Sequence, residues 1–294
     1  MSAIPVPLPA TLSDWFQGGR YLSLCGEEVF LREAGEGEPL LLLHAYPTAS
    51  WGFHRIWPDL TARYRVLAPD LPGSGFSSKP LRGDYSLGRL AKILEALLEA
   101  RGIDRVHILA HGYSGSIAQE LLARSQGAVV ASLCFVTSGL FPAVFHLTAM
   151  QRLLLSPLGP VIARYAPQPY AIFSRRLAET FGPDNQPSSE DLAAAWHLLS
   201  YNRGQRAVPR VIGYLRERKQ RTRRLVTALE ETATPLALLA SADDPLSGRA
   251  VTGAWRRHLP RAPLYELPPK TGHYAPLECP AAVLDAYAAF REAW

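Results

Sequence analysis

A strand that breaks at a tight turn and re-emerges at once as a helix constrains this chain more than any other feature. The segment Leu109-Ala110-His111-Gly112-Tyr113-Ser114-Gly115-Ser116-Ile117-Ala118 has that form. The pattern predicts a strand over residues 105–110, a helix over 114–124 and a further strand over 129–137. Strand and helix alternating in this way mean βαβ units and a mostly parallel sheet, hence an α/β fold.

The flanking segments extend the alternation. Residues 20–24 and 28–33 flank Cys25-Gly26-Glu27 as a hairpin. Residues 39–44, with four leucines in a row, suit a buried parallel strand, and residues 65–69 form another. Ser86 caps a helix over 87–101 whose apolar residues recur at helical spacing, and Gly102 closes it. After Pro142 the strand signal disappears until residues 235–240, and a helix over 249–258, a strand near 263–267 and a helix over 281–291 complete the chain. The economical organisation is one discontinuous core domain, residues 1–141 and 233–294, interrupted by a helical cap over residues 142–232.

Composition excludes several function classes. The formal net charge is +5, and much of it comes from one run, Arg216-Glu217-Arg218-Lys219-Gln220-Arg221-Thr222-Arg223-Arg224, expected to be a solvated helix face. A nucleic-acid surface needs a broader basic area interleaved with aromatics. Cys25, Cys134 and Cys279 are odd in number and widely spaced, which predicts neither a disulfide framework nor a zinc site. No metal or cofactor is expected. The first nine residues lack the charged start of a secretory leader, and no apolar run reaches the ~20 residues of a membrane span. A cytoplasmic monomer or homodimer acting on a small, largely apolar substrate, with no nucleic-acid or membrane partner, is the expectation.

Five signals then fall in a telling order. One strand ends in His44-Ala45-Tyr46-Pro47 and the next in Asp70-Leu71-Pro72-Gly73-Ser74-Gly75-Phe76-Ser77. The turn at Gly112 follows, then Ser241-Ala242-Asp243-Asp244-Pro245, then Thr271-Gly272-His273-Tyr274-Ala275-Pro276-Leu277-Glu278. Elbow, acid, histidine is the chain order of the α/β-hydrolase fold. Asp244, with Asp243 its competitor, is the candidate acid and His273 the candidate base. His44 reads as a brace for its loop.

With His44-Ala45-Tyr46-Pro47-Thr48-Ala49-Ser50, Ala118-Gln119-Glu120-Leu121-Leu122-Ala123-Arg124, Thr180-Phe181-Gly182-Pro183, Gly272-His273-Tyr274 and Leu277-Glu278, the chain resembles the epoxide hydrolase and haloalkane dehalogenase branch of the α/β-hydrolases. Within that branch it is most similar to mesoderm-specific-transcript-like hydrolases. The resemblance implies an α/β-hydrolase core with a helical cap, and an elbow Asp that attacks carbon to form an ester which water then hydrolyses.

The chain departs from that pattern at three related positions. Gly112 stands where the family has its Asp, Ser114 where it has a helix-opening Gly, and Ala45 where the oxyanion loop has Gly. Three linked departures fit a lineage that changed chemistry better than a single disarming substitution in an epoxide hydrolase or dehalogenase. What is left is a His273–Asp244 base dyad and an oxyanion site from the backbone N–H groups of Tyr46 and Tyr113, whose hydroxyls are further candidate acids. Such a site suits water activation, elimination, ring opening, decarboxylation or cyclisation without a covalent intermediate, and Gly112 frees volume beneath the cap. The rival readings are a non-catalytic ligand-binding homologue and an esterase using Ser114. The second exploits a likeness of residues 112–116 to Gly-x-Ser-x-Gly, but Ser114 lies two residues past the elbow. Ala45, Phe141, His146 and Trp196 are the candidate pocket residues, followed by Tyr170, Phe173 and His197.

Overall fold

The computed structural model describes residues 8–125, 130–145 and 147–294. Two expectations, the start of a strand at Val129 and the pocket role of His146, fall outside the described residues.

Eight strands form one sheet: β1 (Gly19–Leu24), β2 (Glu27–Ala34), β3 (Pro39–Leu43), β4 (Arg65–Pro69), β5 (Val106–His111), β6 (Val130–Val136), β7 (Leu236–Ala240) and β8 (Leu264–Glu266). Their order is β1-β2-β4-β3-β5-β6-β7-β8, with the β1–β2 and β2–β4 pairs antiparallel and the rest parallel. The leucine run of β3 is central because both of its faces are covered. Leu41 and Leu43 join one core cluster while Leu40 and Leu42 join the other. The same alternation splits Ile108 and Ala110 from Leu109 in β5, so each strand feeds two apolar layers. One layer contains the helices Leu87–Ala100, Ser114–Ser125 and Thr222–Glu230; the other holds the C-terminal helix Pro280–Glu292 and an additional N-terminal helix, Ala10–Gln17.

Between β6 and β7 the regular elements among the described residues are helices and 3-10 turns, with no strand. Helix Thr222–Glu230 belongs to the sheet's own helical layer, since Leu225 and Leu229 are buried in the same cluster as Ile117 and Leu121. The preceding stretch is tied to the core by Arg55, whose guanidinium binds both carboxylate oxygens of Asp191 at 3.0 and 2.8 Å. Among the described residues no helix is long and apolar enough to cross a membrane.

The loops at the strand ends are braced by buried polar groups. Asp70 accepts from the N–H of Ser50 (2.8 Å) and of Phe76 (2.7 Å), joining the loops after β3 and β4. Residue 75 must be glycine there, because a Cβ would lie 2.0 Å from Asp70 Oδ2 and φ is +54°. At the end of β5, His111 donates through Nε2 to the carbonyl of His273 at 2.8 Å. Burial, then the neighbouring His273, pushes the His111 pKa from its ordinary 6.5 to about 3.

Below pH 6.5 the unfolded chain therefore takes up a proton that folded His111 refuses, so stability falls as pH drops toward 3. At about pH 5 this one group costs about 2 kcal/mol, at 1.36 kcal/mol per pH unit. A His111→Gln variant should lose less stability than the parent between pH 7 and about 5, read from urea midpoints. Equal losses would disprove the linkage.

Candidate active site

β5 ends at His111, and the chain reverses into the helix Ser114–Ser125 through Gly112, whose φ is +63°. Its N–H still donates to the carbonyl of Val136 at 3.1 Å, so the turn is anchored to the sheet. A Cβ built on Gly112 would point at His273, 3.1 Å from Nε2, and would lie only 2.8 Å from the Cβ of Ala45. The direction of a side chain at 112 is thus toward the imidazole, and the methyl of Ala45 half-fills that place.

His273 is buried and turns Nδ1 to Asp244, 3.2 and 3.1 Å from the two carboxylate oxygens. Asp244 also accepts from the Leu246 N–H at 2.9 Å and from the Ser247 hydroxyl. Burial opposes ionisation of Asp244, but His273, Ser247 and Leu246 together outweigh it and hold its pKa below the ordinary carboxylate value. The carboxylate therefore fixes the proton of His273 on Nδ1 and leaves Nε2, facing Gly112, as the free acceptor. Asp243 points elsewhere: it is exposed and accepts from the N–H of Lys270 at 2.8 Å.

The backbone of His273 is as constrained as its ring. Its N–H donates to Thr180 at 2.8 Å, and its carbonyl accepts from Thr137 Oγ1 at 2.7 Å as well as from His111. Glu278 accepts from the N–H groups of Gly182, Gly272 and Tyr274 at 2.8, 2.7 and 2.8 Å, tying the helical stretch to the histidine loop. Burial raises the Glu278 pKa above the ordinary value against those three donors.

Ser114 lies away from this dyad. It is fully buried, and its hydroxyl donates to the carbonyl of His44. His44 in turn accepts from the Leu71 N–H on Nε2 at 3.0 Å and donates from Nδ1 to Ala45 at 2.8 Å. Burial lowers the His44 pKa, consistent with a neutral ring that braces the loop. Neither Tyr46 nor Tyr113 gives its backbone N–H to an acceptor among the described residues. Both residues border Gly112, one in the next loop and one next in the chain. The Tyr113 N–H also lies at the positive end of the helix that begins at Ser114. Burial, with neighbouring tyrosines, raises the pKa of the Tyr46 and Tyr113 phenols far above the ordinary value.

A chamber of about 110 Å³ lies over these groups, lined by Tyr46, Gly112, Tyr113, Tyr214, Arg218 and His273 among others. Tyr46 also borders a second, apolar cavity of about 340 Å³ formed with Met150, Leu154, Ile162, Phe173 and Val208. A further cleft of about 710 Å³ is lined by none of the candidate residues. Phe141 lines neither the chamber nor the apolar cavity; it is core, stacked on His258 at 4.9 Å. Trp196 packs between Tyr170 and Phe173, at 5.6 and 5.4 Å, and reaches neither cavity, while Phe173 does. His197 is half-buried in helix Ser189–Ser200. Aromatic residues of a helical layer cover one another first, and only the outer members meet a cavity.

Arg218 is the residue the sequence hid. Its run is not a uniformly solvated face: Arg221 pairs with Glu217 at 3.1 Å, Arg224 with Glu120 at 3.0 Å, and Arg218 is 3% exposed. One signal was available. Arg218 stands three residues after buried Leu215 in the helix Tyr214–Gln220, which sets both on one face. Burial lowers its pKa, although a guanidinium stays charged. Among the described residues no group of three His, Cys, Asp or Glu side chains is arranged to hold a metal.

Comparison with known proteins bears on the family and the fold. The chain is 34% identical to the human mesoderm-specific transcript homolog protein, over 98% of this chain and 90% of that one. It is likewise 34% identical to LipZ of Mycobacterium tuberculosis, covering 94% and 96%. The crystal structure of the haloalkane dehalogenase DbeA from Bradyrhizobium elkani superposes with a TM-score of 0.76 at 23% identity, over 94% of this chain and 99% of that one, a likeness of fold. Residues 38–280 match the family described as alpha/beta hydrolase fold, and to that family the chain belongs.

Proposed function

We propose that this protein is a general-base enzyme that hydrolyses a small hydrophobic molecule without forming a covalent enzyme intermediate. The observation that carries the reading is the empty side-chain position at Gly112, directed at His273 Nε2 from 3.1 Å. A nucleophile would have to sit there, and glycine supplies none. Against Ser114 as a substitute stand the commitment of its hydroxyl to the His44 carbonyl and its absence from the chamber lining.

In this mechanism a water in the chamber donates a hydrogen bond to Nε2; the chamber, at about 110 Å³, exceeds the ~10–15 Å³ one water requires. His273 takes the water's proton as the oxygen attacks the electrophilic carbon. Asp244, ionised and buried, stabilises the imidazolium that forms. The N–H groups of Tyr46 and Tyr113 receive the developing oxyanion, and His273 returns its proton to the leaving group. The helical stretch after β6 acts as the lid, and we place its C-terminal limit at residue 220, since Thr222–Glu230 packs in the sheet layer.

Turnover of aryl esters, lactones and epoxides by the parent should fall by ~10²–10⁴-fold in His273→Ala and comparably in Asp244→Asn. Full activity in His273→Ala sinks the dyad. A single turnover in heavy-oxygen water should label the product and leave the protein's mass unchanged. If no compound of the panel turns over while several raise the melting temperature, the protein is a binder.

Ser114→Ala should keep activity within a few-fold, lose about 1 kcal/mol of stability with its buried hydrogen bond, and no fluorophosphonate adduct should form on Ser114 in the parent. An adduct there would instead make this a serine esterase.

Gly112→Asp alone should be inactive toward epoxides and alkyl halides, because the new Cβ meets Ala45 at 2.8 Å. Aspartate tolerates a left-handed backbone better than most residues. The double variant Gly112→Asp/Ala45→Gly should therefore accumulate an alkyl-enzyme ester visible by intact mass. No ester in a folded double variant contradicts the assignment of position 112.

A further inference from the structure

Arg218 is a buried cation without an anion. Its Nη1 donates to the Gly139 carbonyl at 2.6 Å, Nη2 has no hydrogen-bond partner, and no carboxylate among the described residues pairs with it. The guanidinium lies over the ring of Phe145, 4.3 Å from its centroid, and 5.8 Å from that of Tyr214. Aromatic faces hold it in place but do not neutralise it. It borders the same chamber as Gly112 and His273. Two further orphans stand in that wall: the hydroxyls of Tyr46 and Tyr113 are buried and unpaired, and Tyr46 also faces the apolar cavity.

We propose that Arg218 is a specificity residue that binds the carboxylate of the substrate, so that the molecule turned over is a hydrophobic monocarboxylic acid. The free donors of Nη1 and Nη2 match the two oxygens of a carboxylate. One unpaired cation balances one negative charge, which fits a carboxylate better than a doubly charged phosphate. The chamber of about 110 Å³ takes the head group, and the cavity of about 340 Å³ beyond Tyr46 takes the apolar tail. Tyr46, on the wall between them, offers its hydroxyl to the head group. This inference deepens the reading of the site as a base-catalysed one, yet it concerns binding and is tested without turnover.

The probes are octanoate, octanamide and octanol, with binding read by calorimetry and by the shift in melting temperature. In the parent and equally in His273→Ala, octanoate should bind on the order of tenfold to a hundredfold more tightly than octanamide. Arg218→Met should abolish that preference and also melt higher than the parent when free of ligand, because it removes an uncompensated buried charge. Arg218→Lys, which keeps the charge without the fork, should retain part of it. Equal binding of acid and amide by the parent overturns the proposal, as does an undiminished preference in Arg218→Met. Should Arg218→Met fail to fold, the parent's comparison of acid with amide and the Arg218→Lys measurement decide alone. A preference that survives in an inactive His273→Ala separates this anion site from the fate of the base mechanism.

Discussion

The position of one residue, His273, depends on contacts from three parts of the chain. Its carbonyl takes hydrogen bonds from β5 through His111 and from the end of β6 through Thr137, while its N–H is held by Thr180 of the helical stretch. These contacts require two backbones to touch. A Cβ on Gly272 would lie 2.4 Å from the Gly182 nitrogen, and one on Gly182 would lie 1.7 Å from the Lys270 carbonyl oxygen. Sheet and helical stretch are therefore joined at His273, and Glu278 closes the junction by accepting three N–H bonds. A side chain held this way spends little freedom on finding its geometry.

The two small residues under the imidazole form a matched pair. Glycine at 112 removes a side chain, and the methyl of Ala45 moves into part of the space that chain would use. Either residue alone would leave a void or a clash, and both are costly in a packed interior. The loop that carries Ala45 is held through His44 by Ser114, so the three departures from the resembled family, Gly112, Ala45 and Ser114, lie in one contact network. The serine that superficially resembles a nucleophile is a structural member of that network.

How much of this was legible in the sequence depended on the kind of signal. Strand and helix alternation marks the sheet because each buried strand must be apolar on both faces, and the leucines of β3 divide between the two layers accordingly. Gly112, Asp244 and His273 were legible through chain order, which the topology turns into proximity. Asp243 and Asp244 could be separated only by the loop's geometry, which faces one inward and the other outward. Phe141 and Trp196 carried no such information, since an aromatic in a helical layer reads alike whether it meets a neighbour or a cavity. Arg218 was obscured by its neighbours, because a run of charges looks solvated until the helix is wrapped against a core.

Stability alone does not account for the chamber's electrostatics. An isolated buried guanidinium costs several kcal/mol, and replacing it with an apolar side chain of similar size would relieve that cost. The orphan hydroxyls of Tyr46 and Tyr113 and two unpaired backbone N–H groups border the same small volume as the Arg218 guanidinium, so five donor groups converge there. His273 Nε2 faces the vacant side-chain position at Gly112. A wall built of donors with a single base opposite is complementary to a molecule that brings its own negative charge and loses or gains a proton at one point. Remote binding of that charge by Arg218 would hold the reacting carbon against the base, as binding energy does when no covalent bond to the enzyme fixes it.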